Sequence, residues 1–301
     1  MKRRSVLLGA ATVLLFGAPG VTGQTNDAAG MPWEAARTAI LKKFAGRPHT
    51  AQQIEPFKIV DNIFYVGLET VASYLIPTSD GLILVDATYA DTADLVIDNV
   101  RKLGQDPARI KYVLITHAHE DHVGGAGRIH ELTGARVGMA LAEWDSVERL
   151  QSRSPGNQSN GTRLTRDLVI KDGDMLALGD TQLWVYVIGG HTPGNIVIEI
   201  HAVAAGREFR TALGATLEPS SGTTAASLRS VERLKELGPW DAFLPSHPYL
   251  APPPIPQTAR QALGLEALPP NPTKQAPLVG AQRVNAYLDQ IRAAIQARSS
   301  N

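Results

Sequence analysis

The stretch LITHAHEDHVGG, residues 114–125, places five ionisable side chains directly after an apolar run. That run, residues 110–116, has the length and composition of a buried β-strand, so the cluster begins where the strand ends. Burying this many ionisable groups is costly unless something binds them. We therefore expect a ligand, and the residue types indicate a metal ion: His117, His119, Glu120, Asp121 and His122.

The spacing of the cluster distributes its ligands over two metal positions. Side chains two residues apart on extended backbone point the same way, so His117 and His119 can bind one ion. Asp121 and His122 follow as the chain turns, and they project toward a neighbouring position. Imidazole and carboxylate ligands without sulfur suit Zn²⁺, Fe or Mn.

Two further histidines have surroundings that suit metal binding. His191 lies in GGHTPG and His247 in LPSHP, each just after a predicted strand. Sheets commonly place their sites at the carboxyl ends of strands, and the flanking glycines and prolines fix the turns. Either histidine alone is typical of a hydrogen-bonded loop residue, but with the cluster they give six ligands for two metals. His49, His130 and His201 lack such neighbours and are not predicted to bind metal.

The composition excludes several classes of partner and site. With 301 residues and 44% hydrophobic content, the chain is long enough to bury a full core. The formal net charge is zero and no long run of Lys or Arg occurs, which argues against nucleic acid or an anionic membrane as the main partner. Cysteine is absent, so disulfides, thiolate zinc sites, cysteine nucleophiles and iron–sulfur clusters are excluded.

The first 23 residues have the pattern of a secretory signal peptide. The basic segment MKRR precedes an apolar run that is too short and too interrupted for a membrane-spanning helix. Arg3 and Arg4 followed by SVLL are compatible with the twin-arginine route as well as with ordinary export. We expect a mature chain that starts at Gln24, resides in the periplasm or outside the cell, and has no stable membrane association. Residues 24–55 are interpreted as an N-terminal extension.

Residues 56–301 alternate short apolar runs with amphipathic segments, which predicts a single α+β domain. Closely spaced runs within residues 57–85 are separated by Asn, Gly and Ser-Asp-Gly turn signals and predict an antiparallel meander. Strand-rich blocks followed by helices, repeated twice, predict two face-to-face sheets with outer helices. The polar residues 151–166 predict a mobile loop over a site, and the Pro-rich residues 251–272 predict an irregular connection. The predicted helices are residues 93–103, 124–132, 141–150, 224–237 and 281–298.

HAHEDH resembles the signature of the metallo-β-lactamase superfamily, and LILVDA and GGHTPG resemble two further motifs of that superfamily in the expected order. The similarity extends from about Pro56 to the C-terminus. It implies a four-layer αββα sandwich of two mixed sheets with a dinuclear zinc centre at one edge. In that centre, Asp86 would support the ligand loop from behind. The resemblance assigns the first zinc to His117, His119 and His191, and the second zinc to Asp121, His122 and His247.

The residues that are missing point to one branch of the superfamily. Glyoxalase II, lactonase and nuclease relatives carry a metal-bridging Asp where this chain has Ala215, in the segment LGATLEPS. Two of the three class B β-lactamase subclasses use a Cys ligand, which this chain lacks. The chain therefore resembles the third subclass most, and PFKIVDNIFYVG, residues 56–67, is similar to the first hairpin of that subclass.

The resemblance implies a zinc β-lactamase, which confers antibiotic resistance by opening the lactam ring through attack of a zinc-bridging hydroxide. Asp121 would orient that hydroxide and is the predicted catalytic residue. Thr216 matches a hydroxyl position that receives the substrate carboxylate in this subclass, and Ser220 and Ser221 are further candidates. Glu218 departs from the pattern, because a carboxylate there would repel an anionic substrate.

Two alternatives stay open. One is a related dinuclear zinc hydrolase for another small molecule, namely a lactone, an ester or an amide. The other is a zinc-binding protein without catalytic activity, against which the complete set of six ligands argues. Fold alone does not separate these functions.

Overall fold

The computed structural model describes residues 34–153, 162–204, 206–220, 222–248 and 278–299. Within these residues, one sheet is built from seven strands that pair in chain order. They are β1 Phe57–Val60, β2 Ile63–Tyr65, β3 Tyr74–Thr78, β4 Gly81–Val85, β5 Ile110–Leu114, β6 Arg136–Ala140 and β7 Leu168–Ile170. The strands β1–β4 form the predicted antiparallel meander, and β4–β7 run parallel, so the sheet is mixed.

The second sheet contains six strands in the described part of the chain. They are β8 Asp174–Leu178, β9 Thr181–Val187, β10 Ile196–Ala204, β11 Arg207–Leu213, β12 Ala242–Leu244 and β13 Leu278–Val279. Their order is β13-β12-β11-β10-β9-β8. Neighbouring strands are antiparallel except β11 and β12, which run parallel.

Helices cover the outer faces of both sheets. The described helices are α1 Glu34–Phe44, α2 Ala93–Lys102, α3 Glu120–Val123, α4 Ala126–Thr133, α5 Leu141–Arg153, α6 Thr224–Leu237 and α7 Ala281–Ser299. Strand β4 shows why the sheets are buried on both sides. Its Ile83 and Val85 belong to the core between the sheets, and its Leu82 and Leu84 belong to the core beneath the helices, as side-chain alternation along a strand requires.

The predicted four-layer αββα sandwich is confirmed, with corrections at its ends. The helix predicted from residue 124 begins at Ala126, because the cluster itself forms the separate short helix α3. Helix α1 and strand β13 were not predicted. The predicted signal peptide, residues 154–161 of the predicted loop and the Pro-rich connection lie outside the described residues. Among the residues that are described, no helix is long and apolar enough to span a membrane.

The strand directions bring several loops to one edge of the sandwich. In the first sheet, β4 and β5 run in the same direction. In the second sheet, β9, β11 and β12 share one direction. The loops that follow these strands meet at this edge. Two backbone hydrogen bonds join the sheets there, from Ile196 N to Thr116 O at 3.0 Å and from Ala72 N to Ser246 O at 2.8 Å. The backbones at residues 87 and 125 also approach closely at this edge. Position 125 requires glycine, because a Cβ there would lie 2.2 Å from the Ala87 carbonyl oxygen.

Candidate metal centre

All six predicted ligands lie at this edge, in two groups. One group contains His117, His119 and His191, and the other contains Asp121, His122 and His247; within each group the ligand atoms lie within 4.8 Å of one another. The two groups are neighbours, since the rings of His117 and His122 are 4.1 Å apart. Each group takes ligands from the loop after β5 and one ligand from the second sheet. This arrangement is consistent with a dinuclear metal site.

The first group has the ligand spacing of a tetrahedral ion. The Nδ1 of His119 lies 3.1 Å from the Nε2 of His117 and 3.0 Å from the Nε2 of His191. A tetrahedral zinc with bonds of about 2.0–2.1 Å to nitrogen places neighbouring ligand atoms roughly 3.3 Å apart. The three nitrogens therefore fit around one such ion.

The second group fits a cation for an additional reason. The Nε2 atoms of His122 and His247 lie 3.2 Å apart, and the Oδ2 of Asp121 is 3.5 Å from the first and 3.6 Å from the second. The Nδ1 of His247 is 2.9 Å from the Thr70 carbonyl oxygen, which can only accept, so that nitrogen carries the proton. The Nδ1 of His122 likewise faces the Asp86 carboxylate at 2.8 Å. When both rings are neutral, the two Nε2 lone pairs face each other, and a cation between them removes the conflict.

The ring nitrogens that face away from the metal positions are also fixed. A metal-binding imidazole typically donates its second N–H to a carbonyl or carboxylate, which sets the ring orientation. The carbonyl oxygen of Glu218 accepts from His191 Nδ1 at 2.6 Å, and Thr116 Oγ1 lies 3.1 Å from His117 Nδ1. The loops that carry the ligands therefore also orient them.

Asp86 lies where the resemblance placed it, behind the ligands. Its side chain is nearly inaccessible, at 2% exposure of the residue, and its carboxylate accepts from Thr116 N at 2.7 Å and from Thr116 Oγ1 at 2.8 Å. The second carboxylate oxygen also binds His122. A φ of +61° at Asp86 turns the chain sharply after β4, a conformation that Asp tolerates better than most residues. One carboxylate thus connects Thr116, in the segment after β5, with a ligand of the second group.

Burial keeps most of the histidines neutral and ready to bind a metal. It lowers the pKa of His117 well below the usual value, lowers that of His191 to about 3 and lowers that of His247 to about 4. For Asp121, burial raises the pKa, but His122 and His247 outweigh it and the pKa is lowered. Burial lowers the pKa of His122 as well, but Asp121 and Asp86 outweigh it and that pKa is raised. The site therefore combines three imidazoles that burial keeps neutral with an ionised carboxylate, which suits metal binding.

Glu143 on α5 is part of the site, although the sequence analysis did not select it. The residue is 1% exposed, and its two carboxylate oxygens accept from Ala118 N at 2.7 Å and from Gly194 N at 2.6 Å. Ala118 separates two ligands of the first group, and Gly194 follows the third ligand by three residues. Glu143 therefore connects both loops that supply that group. The sequence could have indicated this role, because Glu143 is a charged residue on the same helix face as Trp144 and Val147, which are both buried.

Replacing Glu143 with Gln is expected to weaken binding of the first metal by about 10- to 100-fold, the range for residues that orient metal ligands. An amide offers one acceptor oxygen, so its NH₂ group would face one of the two N–H donors. Zinc titration monitored with a competing chelator measures the change. Glu148→Gln, in the same helix but at an exposed position bound to Arg166, is the matched control. Equal zinc affinity in both variants would contradict this role.

The three residues predicted to contact substrate differ in their exposure, and one of them is not described. Thr216 is fully buried, and its hydroxyl is hydrogen-bonded to the Ser246 hydroxyl. Ser220 is exposed, and Ser221 lies outside the described residues. Ala215 is buried in the apolar cluster under α6 and α7, so its position supplies no metal ligand. The substrate contacts stay predictions.

The remaining histidines in the described residues are held by contacts away from the two groups. His130 lies on the exposed face of α4 and its Nδ1 is 2.8 Å from the Ala135 carbonyl oxygen. His49 stacks on Tyr89, and His201 lies beside Glu208. None of the three joins a ligand group.

Comparison with known proteins agrees with the site geometry. The family model described as the metallo-beta-lactamase superfamily matches residues 66–247. The chain is similar to a probable metallo-hydrolase of Burkholderia pseudomallei, with 30% identity over 54% of this chain and 59% of the relative. It is also similar to a hydroxyacylglutathione hydrolase of Cereibacter sphaeroides, with 28% identity over 47% of this chain and 50% of the relative. The chain spans about half the length of these curated relatives.

A solved structure matches over a larger share of both chains. A subclass B3 metallo-beta-lactamase of Bradyrhizobium japonicum is 26% identical, with a TM-score of 0.66. The match covers 84% of this chain and 96% of that one.

Proposed function

Since this chain belongs to the metallo-beta-lactamase superfamily, we propose that it is an exported dinuclear zinc hydrolase that opens β-lactam rings. The observation that carries the proposal is the second ligand group, in which Asp121, His122 and His247 supply one carboxylate and two imidazoles without a cysteine. Zinc is the metal proposed because the described ligand spacing and the nitrogen-rich donor set suit it. Export is inferred from residues 1–23.

The protein's own residues would hold the metals and orient the reactants. Bound zinc would lower the pKa of a water molecule toward neutrality and polarise the substrate carbonyl. Asp121 would use Oδ2 as the ligand atom, because that oxygen faces both imidazoles. Its other carboxylate oxygen is then available to accept a hydrogen bond from the attacking water and to orient it. The side chain is 23% exposed, so a small substrate has access to this carboxylate.

A β-lactam is favoured over a thioester or lactone by two observations. A solved structure that matches over most of both chains is a subclass B3 metallo-beta-lactamase. In addition, Ala215 stands where glyoxalase II and lactonase relatives place a bridging carboxylate, and that methyl group is buried among apolar side chains. The second candidate is hydrolysis of another ester, lactone or amide, including the thioester of hydroxyacylglutathione, because a curated relative carries that activity in its name.

The test is hydrolysis of nitrocefin, a carbapenem and S-lactoylglutathione by residues 24–301 loaded with two equivalents of zinc. We expect both β-lactams to be hydrolysed with kcat/KM above about 10⁴ M⁻¹s⁻¹, an ordinary enzymatic value. EDTA should abolish this activity and added zinc should restore it. Turnover of the thioester alone would replace the β-lactamase proposal with the second candidate.

A further inference from the structure

The N-terminal extension is packed against the loops that flank the metal centre. Lys43, in the last turn of α1, binds the Glu69 carboxylate at 2.6 Å. After α1, a short 3-10 turn at His49–Gln52 places the His49 ring on the Tyr89 ring, with centroids 3.7 Å apart. Gln52 is hydrogen-bonded to Thr70, whose carbonyl oxygen orients His247. These contacts fix α1 beside the second ligand group.

This position brings a cation, Arg37 of α1, to the mouth of the site. Its Nε lies 4.0 Å from the Oε2 of Glu218, and its side chain is 47% exposed whereas that of Glu218 is 15% exposed.

Glu218 connects the same pair to the first ligand group. Its carbonyl oxygen accepts from His191 Nδ1 at 2.6 Å, so its backbone is fixed beside that ligand. Its carboxylate faces the Arg37 guanidinium at 4.0 Å. The ion pair is therefore joined to the first ligand group through the backbone of Glu218.

We propose that Arg37 binds the carboxylate of the substrate and that Glu218 holds the guanidinium in place for this contact. The proposal rests on the proposed function, because bicyclic β-lactams carry a carboxylate next to the lactam nitrogen. An arginine offers five donors and pairs well with carboxylates, so contact with Glu218 through Nε leaves other donors for a ligand. The contact is long, at 4.0 Å, and the Arg37 side chain is 47% exposed, so the pair is weak and the guanidinium can accept a second anion.

The same assignment explains two features of the site. The hydroxyl of Thr216 is fully buried and hydrogen-bonded to Ser246, and Arg37 supplies a charged group for the carboxylate. Glu218 would repel an anionic substrate if it stood alone, but Arg37 neutralises it. A segment outside the main sheets then determines which substrate charge the site accepts.

The test measures binding of two thiols of nearly equal size to the zinc-loaded protein, 3-mercaptopropionate and 3-mercaptopropionamide. Their thiolates bind zinc, and only the first carries a carboxylate. In Arg37→Gln, we expect Kd to rise about tenfold for the acid, the effect of one lost hydrogen bond to a charged group, and to stay unchanged for the amide. Arg37→Lys should retain part of the affinity, and Arg37→Gln combined with Glu218→Gln should recover part of the loss.

The control is Lys102→Gln, which removes a positive charge bound to Glu55 at 2.8 Å. Lys102 ends α2, and neither it nor Glu55 belongs to a ligand group. The inference is overturned if the acid and the amide lose affinity equally in Arg37→Gln, or if Lys102→Gln has the same effect.

Kinetics with a β-lactam separate this inference from the proposed function. Arg37→Gln should raise KM for an anionic β-lactam about tenfold with a smaller change in kcat. If the parent protein hydrolyses no β-lactam but discriminates between the thiols through Arg37, the proposed function fails and the anion-binding role stands. If β-lactams are hydrolysed and KM and thiol binding do not respond to Arg37→Gln, the role of Arg37 fails and the proposed function stands.

Discussion

Replacing Asp86 with Ala is expected to destabilise the protein by about 3–5 kcal/mol, the range for removing one partner of a buried charged network. The change leaves Thr116 N, Thr116 Oγ1 and His122 Nδ1 without their acceptor. It also places Ala at a φ of +61°, which Ala tolerates less well than Asp. Urea unfolding at constant m-value measures the loss.

The same substitution should also reduce zinc binding from two equivalents to about one, because His122 loses the group that orients it. Asp86→Asn separates the two effects. Asn tolerates the positive φ and keeps an acceptor oxygen, so we expect a smaller loss of stability and weakened binding at the second position. Wild-type stability and two tightly bound zinc ions in Asp86→Ala would contradict the role given to this carboxylate.

Replacing His119 with Ala is expected to lower kcat/KM for a β-lactam by at least about 10³-fold, equivalent to roughly 4 kcal/mol of transition-state stabilisation. The Nδ1 of His119 faces both other imidazoles of the first group, so its loss leaves two ligands for that ion. Initial rates at saturating zinc, together with zinc stoichiometry, measure the effect.

His130→Ala is the matched control for this substitution, since His130 is exposed on α4 and outside both groups. It should bind two zinc ions and hydrolyse the substrate at the parent rate. A folded His119→Ala protein with undiminished hydrolysis would show that the first group is not the catalytic metal site. Loss of hydrolysis in that variant would exclude a zinc-binding protein without catalytic activity.

The sequence predicted the parts of the site that depend on local pattern. HAHEDH follows an apolar strand directly, so its ligands and their edge of the sheet could be inferred from adjacent residues. His191 and His247 were predicted because each follows a strand within a Gly- or Pro-containing turn. Their convergence, across sequence separations of 72 and 125 residues, was expected from these positions, and the resemblance assigned each histidine to one of the two metals.

The parts that were not predicted depend on distant contacts. Glu143 functions through backbone N–H groups, which have no signature in the sequence, and Arg37 reaches Glu218 only after α1 has docked. The sequence position of Thr216 could not show that its hydroxyl faces Ser246. Strand β13 has two residues and exists through pairing with β12, so it has no periodicity to detect.

Each metal position takes ligands from loops of both sheets, so a bound ion would also stabilise the folded protein. An ion in the first group closes a loop of 72 residues between His119 and His191, and an ion in the second closes one of 125 residues between His122 and His247. Such closures restrict the unfolded chain as cross-links do. In a chain without cysteine, metal ions can serve as its reversible cross-links. The supply of metal would then determine the lifetime of the folded protein as well as its catalytic rate.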